Sequence, residues 1–284
     1  MKERTYSIRN MTREEVADTA IKWAEKEGWN PGLYDLESFY QTDPKGFFVG
    51  LLGSEPIACI SAIAYDNDFA FVGFYIVKPE YRGKGYGLKI WNEALVSLKT
   101  NNAGLDGVLT QQPNYKKSGF KFAYSNIRFE GKAQQTNQRF NEIVKLAEVS
   151  FQAILDYDKK LFPVPREKFL KLWLEQPESL ALIAINDGKV AGYSLIRKCS
   201  IGYKIGPLFA DNKVLADKLF VSFANFIEPG TSIFLDTPEV NLEAVALAEI
   251  HGMKKVFETA RMYTKSQPKI DLNKVFGVTT FELG

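Results

Sequence analysis

The two halves of this chain are related by a constant offset of 133 residues, and this repeat constrains the fold more than any other feature. The segments that keep the offset are Pro44 with Pro177, 51–61 with 184–194, Gly73 with Gly206, and 118–129 with 251–262. The last match also brings Arg128 into correspondence with Arg261. Separated segments that share one offset indicate a duplicated structural unit. The sequence therefore predicts two copies of one fold in tandem.

Each copy is expected to contain the same order of elements. Apolar residues at three- and four-residue spacing predict a first helix in REEVADTAIKWAEKEG and another in NEIVKLAEVSFQAILDYDKKL. In each half, the first helix is followed by a short helix, a two-stranded hairpin and a third strand. The unit is then completed by a helix, a strand, a short helix and a last strand. This order predicts an α/β fold with a mixed, predominantly antiparallel sheet flanked by helices.

The polar stretch EGKAQQTNQ (130–138) marks the expected boundary between the copies. It divides the chain into a first domain, 1–131, and a second domain, 132–284. The segment VFGVTTFEL near the end of the sequence lies outside the repeat and is expected to form one further strand. The sequence does not assign that strand to either sheet.

Composition excludes several classes of protein. The net charge is +2 with scattered cations, which gives no support for a nucleic-acid surface. The sequence shows no apolar signal segment and no run of about 18 apolar residues, so neither a signal peptide nor a transmembrane helix is expected. The single histidine disfavours a histidine-built metal site and a Ser–His or Cys–His triad. Two cysteines favour buried, reduced thiols and a cytoplasmic location.

The stretch RGKGYG (82–87) lies where a predicted strand leads into a predicted helix. A helix N-terminus leaves backbone N–H groups unpaired and carries partial positive charge, so it binds phosphate well. Glycines at 83, 85 and 87 allow close approach of an anion, and Arg82 and Lys84 add positive charge. The stretch therefore favours a pyrophosphate cradle, with a flexible turn as the alternative.

Other glycine motifs fit this stretch poorly. A P-loop requires four residues between its first glycine and a Gly-Lys-Ser/Thr, and that pattern is absent. A dinucleotide-binding fingerprint requires G-x-G-x-x-G, whereas residues 83–87 read G-x-G-x-G. Neither nucleotide-binding class is predicted.

The stretch VKPEYRGKGYG (77–87) resembles motif A of the GNAT superfamily of acyl-CoA N-acyltransferases, V-x-P-x-x-R/Q-x-x-G-x-G/A. NYKKSGFKF (114–122) resembles the end of motif B, in which a tyrosine precedes Gly-Phe. The chain as a whole is similar to a tandem GNAT group that carries EGWNPG-like and IGPLFAD-like segments, here 27–32 and 205–211. The resemblance is strong over residues 5–130. Over residues 140–264 it rests on the repeat and on the outline of predicted elements.

The resemblance implies that acetyl-CoA is the cosubstrate, without a metal, and that a small-molecule amine attacks its thioester directly. The expected CoA-binding residues are Tyr75, Ile76, Val77, Arg82, Gly83, Lys84, Gly85, Tyr86 and Gly87. Tyr115 occupies the position of the acid that protonates the leaving thiolate, and the alternative is a packing role for its ring. A bulge near Gly73 would splay the strand, and the Val77 N–H would meet the oxyanion.

The base that deprotonates the amine is left open by the sequence. Candidates by position are Glu27, Asp35, Asp66 and Asp68, each with an ordinary structural alternative such as a turn, a helix acid or a solvated charge. The segment EGWNPGLYD (27–35) is expected to border the acceptor, with Glu27, Trp29, Asn30 and Asp35 as substrate-binding candidates. A tryptophan that fills a groove between helices is the alternative for Trp29.

The second half lacks the chemical residues of the first. The repeat aligns Arg82 with Leu215, Gly83 with Ala216, Gly85 with Lys218, Gly87 with Phe220 and Tyr115 with Ala248. The second domain is therefore expected to keep the fold without CoA and to wall the acceptor pocket, with Arg197, Asp211, Asp236 and Asn241 as pocket candidates or ordinary caps and charges. A non-catalytic acetyl-CoA sensor and a protein-lysine acetyltransferase are the alternative functions. The oligomeric state is not predicted.

Overall fold

A computed structural model describes residues 4–98 and 102–284 of the chain. The first half contains β1 (Tyr6–Asn10), α1 (Arg13–Glu15 and Lys22–Lys26 around a π-helical stretch, Val16–Ile21), α2 (Asp35–Thr42), β2 (Phe47–Leu52), β3 (Glu55–Ala64), β4 (Phe69–Val77), α3 (Tyr86–Ser97), β5 (Asn102–Val108), α4 (Gln112–Lys117) and β6 (Lys121–Lys132). The second half contains β7 (Ile143–Lys145), α5 (Phe151–Asp158), α6 (Glu167–Leu174), β8 (Ser179–Asn186), β9 (Lys189–Lys198), β10 (Tyr203–Ala210), α7 (Lys213–Phe223), β11 (Ser232–Pro238), α8 (Leu242–Ile250), β12 (Lys254–Tyr263) and β13 (Val275–Gly277).

Within the described residues these strands form one 13-stranded sheet in the order β1-β2-β3-β4-β5-β12-β6-β11-β10-β9-β8-β7, and β13 pairs with β10. The β4–β5 and β10–β11 pairs are parallel, and the other pairs are antiparallel. Helices pack against the strands of both halves. The α/β fold with a mixed, predominantly antiparallel sheet flanked by helices is therefore confirmed.

The start of each half differs from the sequence prediction, because a strand precedes the first helix. β1 pairs with β2 in the first half, and β7 pairs with β8 in the second. The helix predicted over 141–161 is instead β7, a 3-10 turn (Leu146–Glu148) and then α5. Pairing with an existing strand edge outweighs local helical spacing here, because tertiary context readily overrides weak helix propensity.

The two halves exchange their last strands. β6 of the first half lies between β12 and β11, and β12 of the second half lies between β5 and β6. Each sheet half is therefore completed by a strand from the other half of the sequence. The boundaries 1–131 and 132–284 stay a prediction about the repeated units, since in space the units are interleaved.

A buried arginine–aspartate pair lies on each exchanged strand. Arg128 on β6 donates from Nε and Nη2 to Asp236 on β11 at 2.6 and 2.7 Å, and the two residues are register partners. Arg261 on β12 donates in the same way to its register partner Asp106 on β5, at 2.9 and 2.6 Å. Bidentate, charge-assisted hydrogen bonds between an arginine and a carboxylate have strict geometry. We infer that these pairs fix the register of the exchanged strands, and that this explains why the repeat keeps both arginines.

The halves also share one hydrophobic core. Phe39 on α2 stacks on Trp173 on α6, with ring centroids 5.8 Å apart and ring planes 12° apart. Both rings are fully buried. Burial of such large rings contributes strongly to stability, so the helical layers of the two halves are held together by apolar packing.

The last segment, residues 275–284, forms less strand than predicted. Only Val275–Gly277 is strand, and it pairs with β10. β10 and β11 pair at Tyr203–Ile205 and then diverge, and β13 fills the gap between them, since the Val278 N–H donates to the Asp236 carbonyl at 2.8 Å. Residues 278–284 then cross to the first half, where the Tyr65 hydroxyl donates to the Leu283 carbonyl at 2.9 Å.

Two residues proposed for a pocket in the second half hold this last segment in place. The Asn241 side chain donates to the carbonyls of Leu272, Asn273 and Val275 at 3.0, 3.2 and 3.0 Å. Asp211 accepts from Lys274 Nζ at 2.9 Å. Asn241 also caps α8 through the amide of Ala244. These contacts therefore support the structural role for Asn241 and Asp211, as an ordinary helix cap and an ordinary charge, rather than the pocket role.

Candidate active site

A cleft of about 880 Å³ opens in the first half where β4 and β5 diverge. The two strands pair in parallel from Phe69 to Val72, and beyond that point the cleft lies between residues 72–77 and 105–108. The equivalent gap between β10 and β11 in the second half is filled by β13. Of these two equivalent gaps, the one in the first half is open.

A β-bulge bends β4 beside the cleft. Between the register pairs Ser61–Gly73 and Cys59–Ile76, β4 has one residue more than β3. Phe74, inside this interval, has φ 47°, a conformation that is rare for a bulky residue. The splayed, bulged strand that the sequence resemblance implied is therefore present at the expected glycine.

The edge of β4 that faces the cleft carries a backbone donor. The Lys78 N–H donates to the Ile57 carbonyl of β3 at 2.9 Å. Because successive N–H groups along an extended strand point to opposite sides, the Val77 N–H points away from β3, toward the cleft.

The glycine loop has an open backbone next to the cleft. Gly83 and Gly85 have φ of 74° and 80°, and a Cβ at either would meet no atom within 4 Å. Gly85 is the N-cap of α3, so the first amides of that helix lack intrahelical partners. Gly87 serves packing instead, because a Cβ there would lie 2.6 Å from Tyr75 Oη. The loop thus offers the backbone geometry of an anion site.

The polar side chains of this loop are engaged with the protein. Arg82 donates from Nε to the Val77 carbonyl at 2.7 Å, and its guanidinium pairs with Glu27. Lys84 Nζ donates to the Glu80 carbonyl at 2.8 Å. The Tyr86 ring packs on Tyr6, with centroids 4.8 Å apart. Neither Lys84 nor Tyr86 lines the cleft, so contact of these two residues with CoA stays a prediction.

Tyr115 on α4 forms part of the cleft wall and is buried. Its ring lies 5.4 Å from the Trp91 ring and packs on Gly107, where a Cβ would come within 2.1 Å of Tyr115 Cε2. Its hydroxyl has no hydrogen-bond partner among residues 4–98 and 102–284. Burial raises the pKa of Tyr115 above its ordinary value of about 10. The phenol is therefore neutral and free to donate.

Of the four acceptor candidates in 27–35, Glu27 and Trp29 line the cleft. Asn30 and Asp35 do not, and the structure does not support the prediction that they bind the acceptor. Asn30 exchanges two hydrogen bonds with the backbone of Ile201, at 2.9 and 3.0 Å. Asp35 is fully buried and accepts from Arg197 Nε at 2.9 Å. Both side chains join the two halves, a role that no local pattern in the sequence reveals.

The remaining carboxylate candidates lie in a turn. Asp66 Oδ1 accepts from the amides of Asp68 and Phe69, at 2.8 and 2.9 Å. Neither Asp66 nor Asp68 lines the cleft. The turn, which was the alternative for this pair, is what the structure shows.

Sequence reasoning missed the residues that reach the cleft from the other half. They are Phe257, Glu258 and Thr259 on β12, and Phe281 and Glu282 on the last segment. Asp106 on β5 was missed as well. The only signal in the sequence was the repeated arginine, which indicates a shared strand position but not the strand exchange that brings β12 to this cleft.

In residues 4–98 and 102–284, no group of three or more His, Cys, Asp and Glu side chains is arranged to hold a metal ion. In the same residues, no helix is long and apolar enough to cross a membrane. Both cysteines are free and buried, as predicted.

Comparison with known proteins gives one match for each half. Residues 9–120 match a model of the acetyltransferase (GNAT) family, and residues 154–277 match a model of an acetyltransferase (GNAT) domain. The chain is 32% identical over 263 residues to holothin acyltransferase of Pseudoalteromonas sp. (strain SANK 73390). The aligned region covers 93% of this chain and 90% of that protein.

Solved structures show the same fold over the whole chain. A crystal structure of a proposed acetyltransferase from Pyrococcus horikoshii is 23% identical, with a TM-score of 0.84, and the match covers 100% of this chain and 97% of that one. A tandem GNAT protein from the clavulanic acid biosynthesis pathway is 12% identical, with a TM-score of 0.65, and the match covers 91% and 98%.

Proposed function

Because the chain belongs to the GNAT superfamily of N-acyltransferases, with one GNAT domain in each half, we propose that it transfers an acetyl group from acetyl-CoA to the primary amine of a small molecule. In this proposal CoA binds in the first half alone. The observation that carries the proposal is the open gap between β4 and β5, which has the glycine loop at one end and the unpartnered Tyr115 hydroxyl in its wall.

The residues of the cleft support direct attack of the amine on the thioester. The loop amides from Gly83 to Gly87 hold the pyrophosphate, and the N-terminus of α3 adds its partial positive charge. The backbone of Tyr75 to Val77 orients the pantetheine. The Val77 N–H stabilises the oxyanion that forms as the C–N bond is made. Tyr115 then gives its proton to the thiolate as the C–S bond breaks.

Substitution of Gly85 by valine is expected to weaken CoA binding beyond detection by calorimetry. Gly85 has φ 80°, and a β-branched residue cannot keep this geometry at low energy, so the loop amides lose their arrangement. Gly188→Val is the matched control, because Gly188 has φ 72°, equally open surroundings and a place in the β8–β9 turn outside the cleft. Normal CoA affinity in Gly85→Val would contradict the proposed cradle.

CoA is expected to bind with a stoichiometry of one per chain. The second gap is closed because β13 occupies it, and a Cβ at Gly206 would lie 2.4 Å from the Thr279 carbonyl, which shows how closely the segment is packed there. Isothermal titration of the whole chain with CoA measures the number of sites. A value of two would show that the second half also binds CoA.

Transfer itself is tested with acetyl-CoA and a panel of acceptors, followed by release of free CoA thiol and by mass spectrometry of the product. The panel contains small primary amines, holothin, for which the 32% identical relative is named, and lysine-containing peptides. Acetylation of one or more small amines is the expected result. Acetylation of the peptides alone would favour the protein-lysine alternative, and saturable CoA binding without any transfer would favour the sensor.

The two buried free thiols support the proposal of a cytoplasmic, reducing compartment. Fractionation of cells that express the native protein tests this location.

A further inference from the structure

We propose that the last segment, residues 275–284, completes the acceptor site: Glu282 takes the proton from the acceptor amine, and Phe281 holds its apolar body. This inference rests on the proposed function, because it needs an amine acceptor in the cleft of the first half. No local pattern in the sequence marks Glu282 as a base.

The last segment is fixed against the bulge of β4. A Cβ on Gly73 would lie 2.2 Å from the Glu282 carbonyl oxygen, so only glycine lets the segment approach this closely. The Tyr65 hydroxyl donates to the Leu283 carbonyl at 2.9 Å, and Arg166 donates to Thr279 Oγ1 at 2.9 Å. The segment is therefore held rigidly, as a positioned base requires.

Glu282 differs from the other carboxylates of the cleft. Glu27, Asp106 and Glu258 line the cleft as well, and each is paired with a cation: Arg82, Arg261 and Lys255, respectively. Glu282 has no such partner in 4–98 and 102–284. One of its carboxylate oxygens, Oε2, accepts from the Thr280 hydroxyl, and Oε1 accepts no hydrogen bond from these residues. Among these cleft carboxylates, Glu282 is thus the one that forms no ion pair, and its Oε1 is free for a substrate proton.

Buried basic side chains lie near Glu282. Three buried cations, Arg128, Arg197 and Lys204, lie within electrostatic range of it. Asp236 pairs with Arg128, and Asp35 pairs with Arg197. Lys204 Nζ itself donates to the carbonyls of Trp29 and Asn30, so it does not occupy the carboxylate.

Apolar rings line the same cleft as Glu282. Phe281 and Phe257 lie 6.5 Å apart between ring centroids, and the Arg128 guanidinium lies 4.9 Å from the Phe281 ring. Trp29 lines the same cleft. Such walls bind an apolar body and leave its amine to the polar group. The acceptor class that fits is a primary amine on an aromatic or aliphatic body.

Glu282 takes one proton from the bound ammonium group, and the freed lone pair forms the C–N bond with the thioester carbon. The C–S bond breaks, and the thiolate takes the Tyr115 proton. The nitrogen that is now bonded to the acyl carbon gives a second proton to the Tyr115 phenolate, which becomes neutral again. The products are an amide, free CoA and protonated Glu282. Glu282 then releases its proton to water.

Glu282→Gln tests this assignment through the pH dependence of transfer to an apolar primary amine. We expect kcat/KM for the amine to fall by about a hundredfold at neutral pH, the low end of base catalysis. The loss should shrink as pH rises toward the amine pKa, about 10 for an alkylamine, because the amine then arrives unprotonated. Three basic groups lie within electrostatic range of Glu282: Arg128, Arg197 and Lys204. The acidic groups near them are Asp236 and Asp35, which pair with the arginines, and Glu27, Asp106 and Glu258, which line the same cleft. All of these groups are left unchanged in this variant.

Glu258→Gln is the matched control, since it removes a carboxylate from the same cleft that is already paired with Lys255. Unchanged CoA affinity in both variants shows that the first half remains folded, and Glu282→Asp should recover part of the activity.

Phe281→Ala should raise KM for apolar amines more than for small polar ones. Full activity of Glu282→Gln at neutral pH, or a pH-independent loss, would overturn the assignment. Absence of transfer in the unmodified chain would overturn the proposed function instead.

Discussion

Replacement of Tyr115 by phenylalanine is expected to lower kcat by about 10²–10⁴-fold while CoA affinity stays unchanged. The substitution keeps the ring that packs on Trp91 and Gly107 and removes only the hydroxyl that is proposed to protonate the thiolate. Steady-state kinetics with acetyl-CoA, together with calorimetric CoA binding, separates the chemical step from binding.

The pH profile gives this prediction a second readout. Burial raises the pKa of Tyr115, so the phenol keeps its proton up to and beyond its ordinary value of about 10. The loss caused by Tyr115→Phe should therefore be the same at every pH below that value.

Tyr75→Phe is the control for Tyr115→Phe, because Tyr75 is a second half-buried phenol in the same cleft. We expect its activity to stay close to that of the unmodified chain. A large loss in Tyr75→Phe combined with normal activity in Tyr115→Phe would assign the acid to Tyr75.

Replacement of Asp236 by asparagine is expected to destabilise the chain by about 3–5 kcal/mol, because it leaves the Arg128 guanidinium buried without its counter-charge. The side chains of both residues are at most 4% exposed, so water cannot replace the lost carboxylate. The free energy of unfolding from a denaturant titration measures the effect. Addition of Arg128→Met should recover part of the loss, since the unpaired charge is then gone.

Glu243→Gln is the control for this prediction. It breaks an ion pair with Lys213 in which the side chains are 65% and 51% exposed, and exposed pairs contribute less than about 1 kcal/mol. A loss in Asp236→Asn as small as that of the control would contradict the role assigned to the exchanged strands.

The same pair predicts a pH dependence of stability. Burial acts to raise the pKa of Asp236, but the attraction and hydrogen bonds of Arg128 outweigh it and hold the pKa below its ordinary value. The stabilisation is therefore fully present above the unfolded value of about 3.9 and is lost as pH falls through the folded pKa. The difference between the unmodified chain and Asp236→Asn should shrink in that acid range.

Much of the first half could be predicted from sequence because its signals are local. The strand, the glycine turn and the helix from 69 to 97 follow one another along the chain, so periodicity and turn chemistry are sufficient to predict them. Tyr115 could be proposed as the acid for the same reason, since the motif that contains it lies on one short helix, and the structure places this residue in the cleft wall. The first strands, β1 and β7, could not be predicted, because short edge strands depend on a partner distant in sequence.

Several residues of the cleft wall could not be predicted, because they come from distant positions in the sequence. Asn30 and Asp35 lie next to Trp29 in sequence, yet their polar atoms satisfy partners near residue 200. Buried polar groups must find partners, and the second half supplies them. Phe257 and Glu282 enter the cleft only after the strand exchange and the crossing of the last segment.

The sequence by itself determined the duplication, the α/β class, the glycine loop and the loss of that loop from the second half. Only the tertiary structure decided that the halves interleave, that β13 fills one of two equivalent gaps, and that the chain beyond it brings Glu282 to the other. The physical reason is range. A loop or a helix is stabilised by neighbours along the chain, whereas strand pairing and buried ion pairs join residues more than a hundred positions apart, such as Arg128 with Asp236 and Asp106 with Arg261.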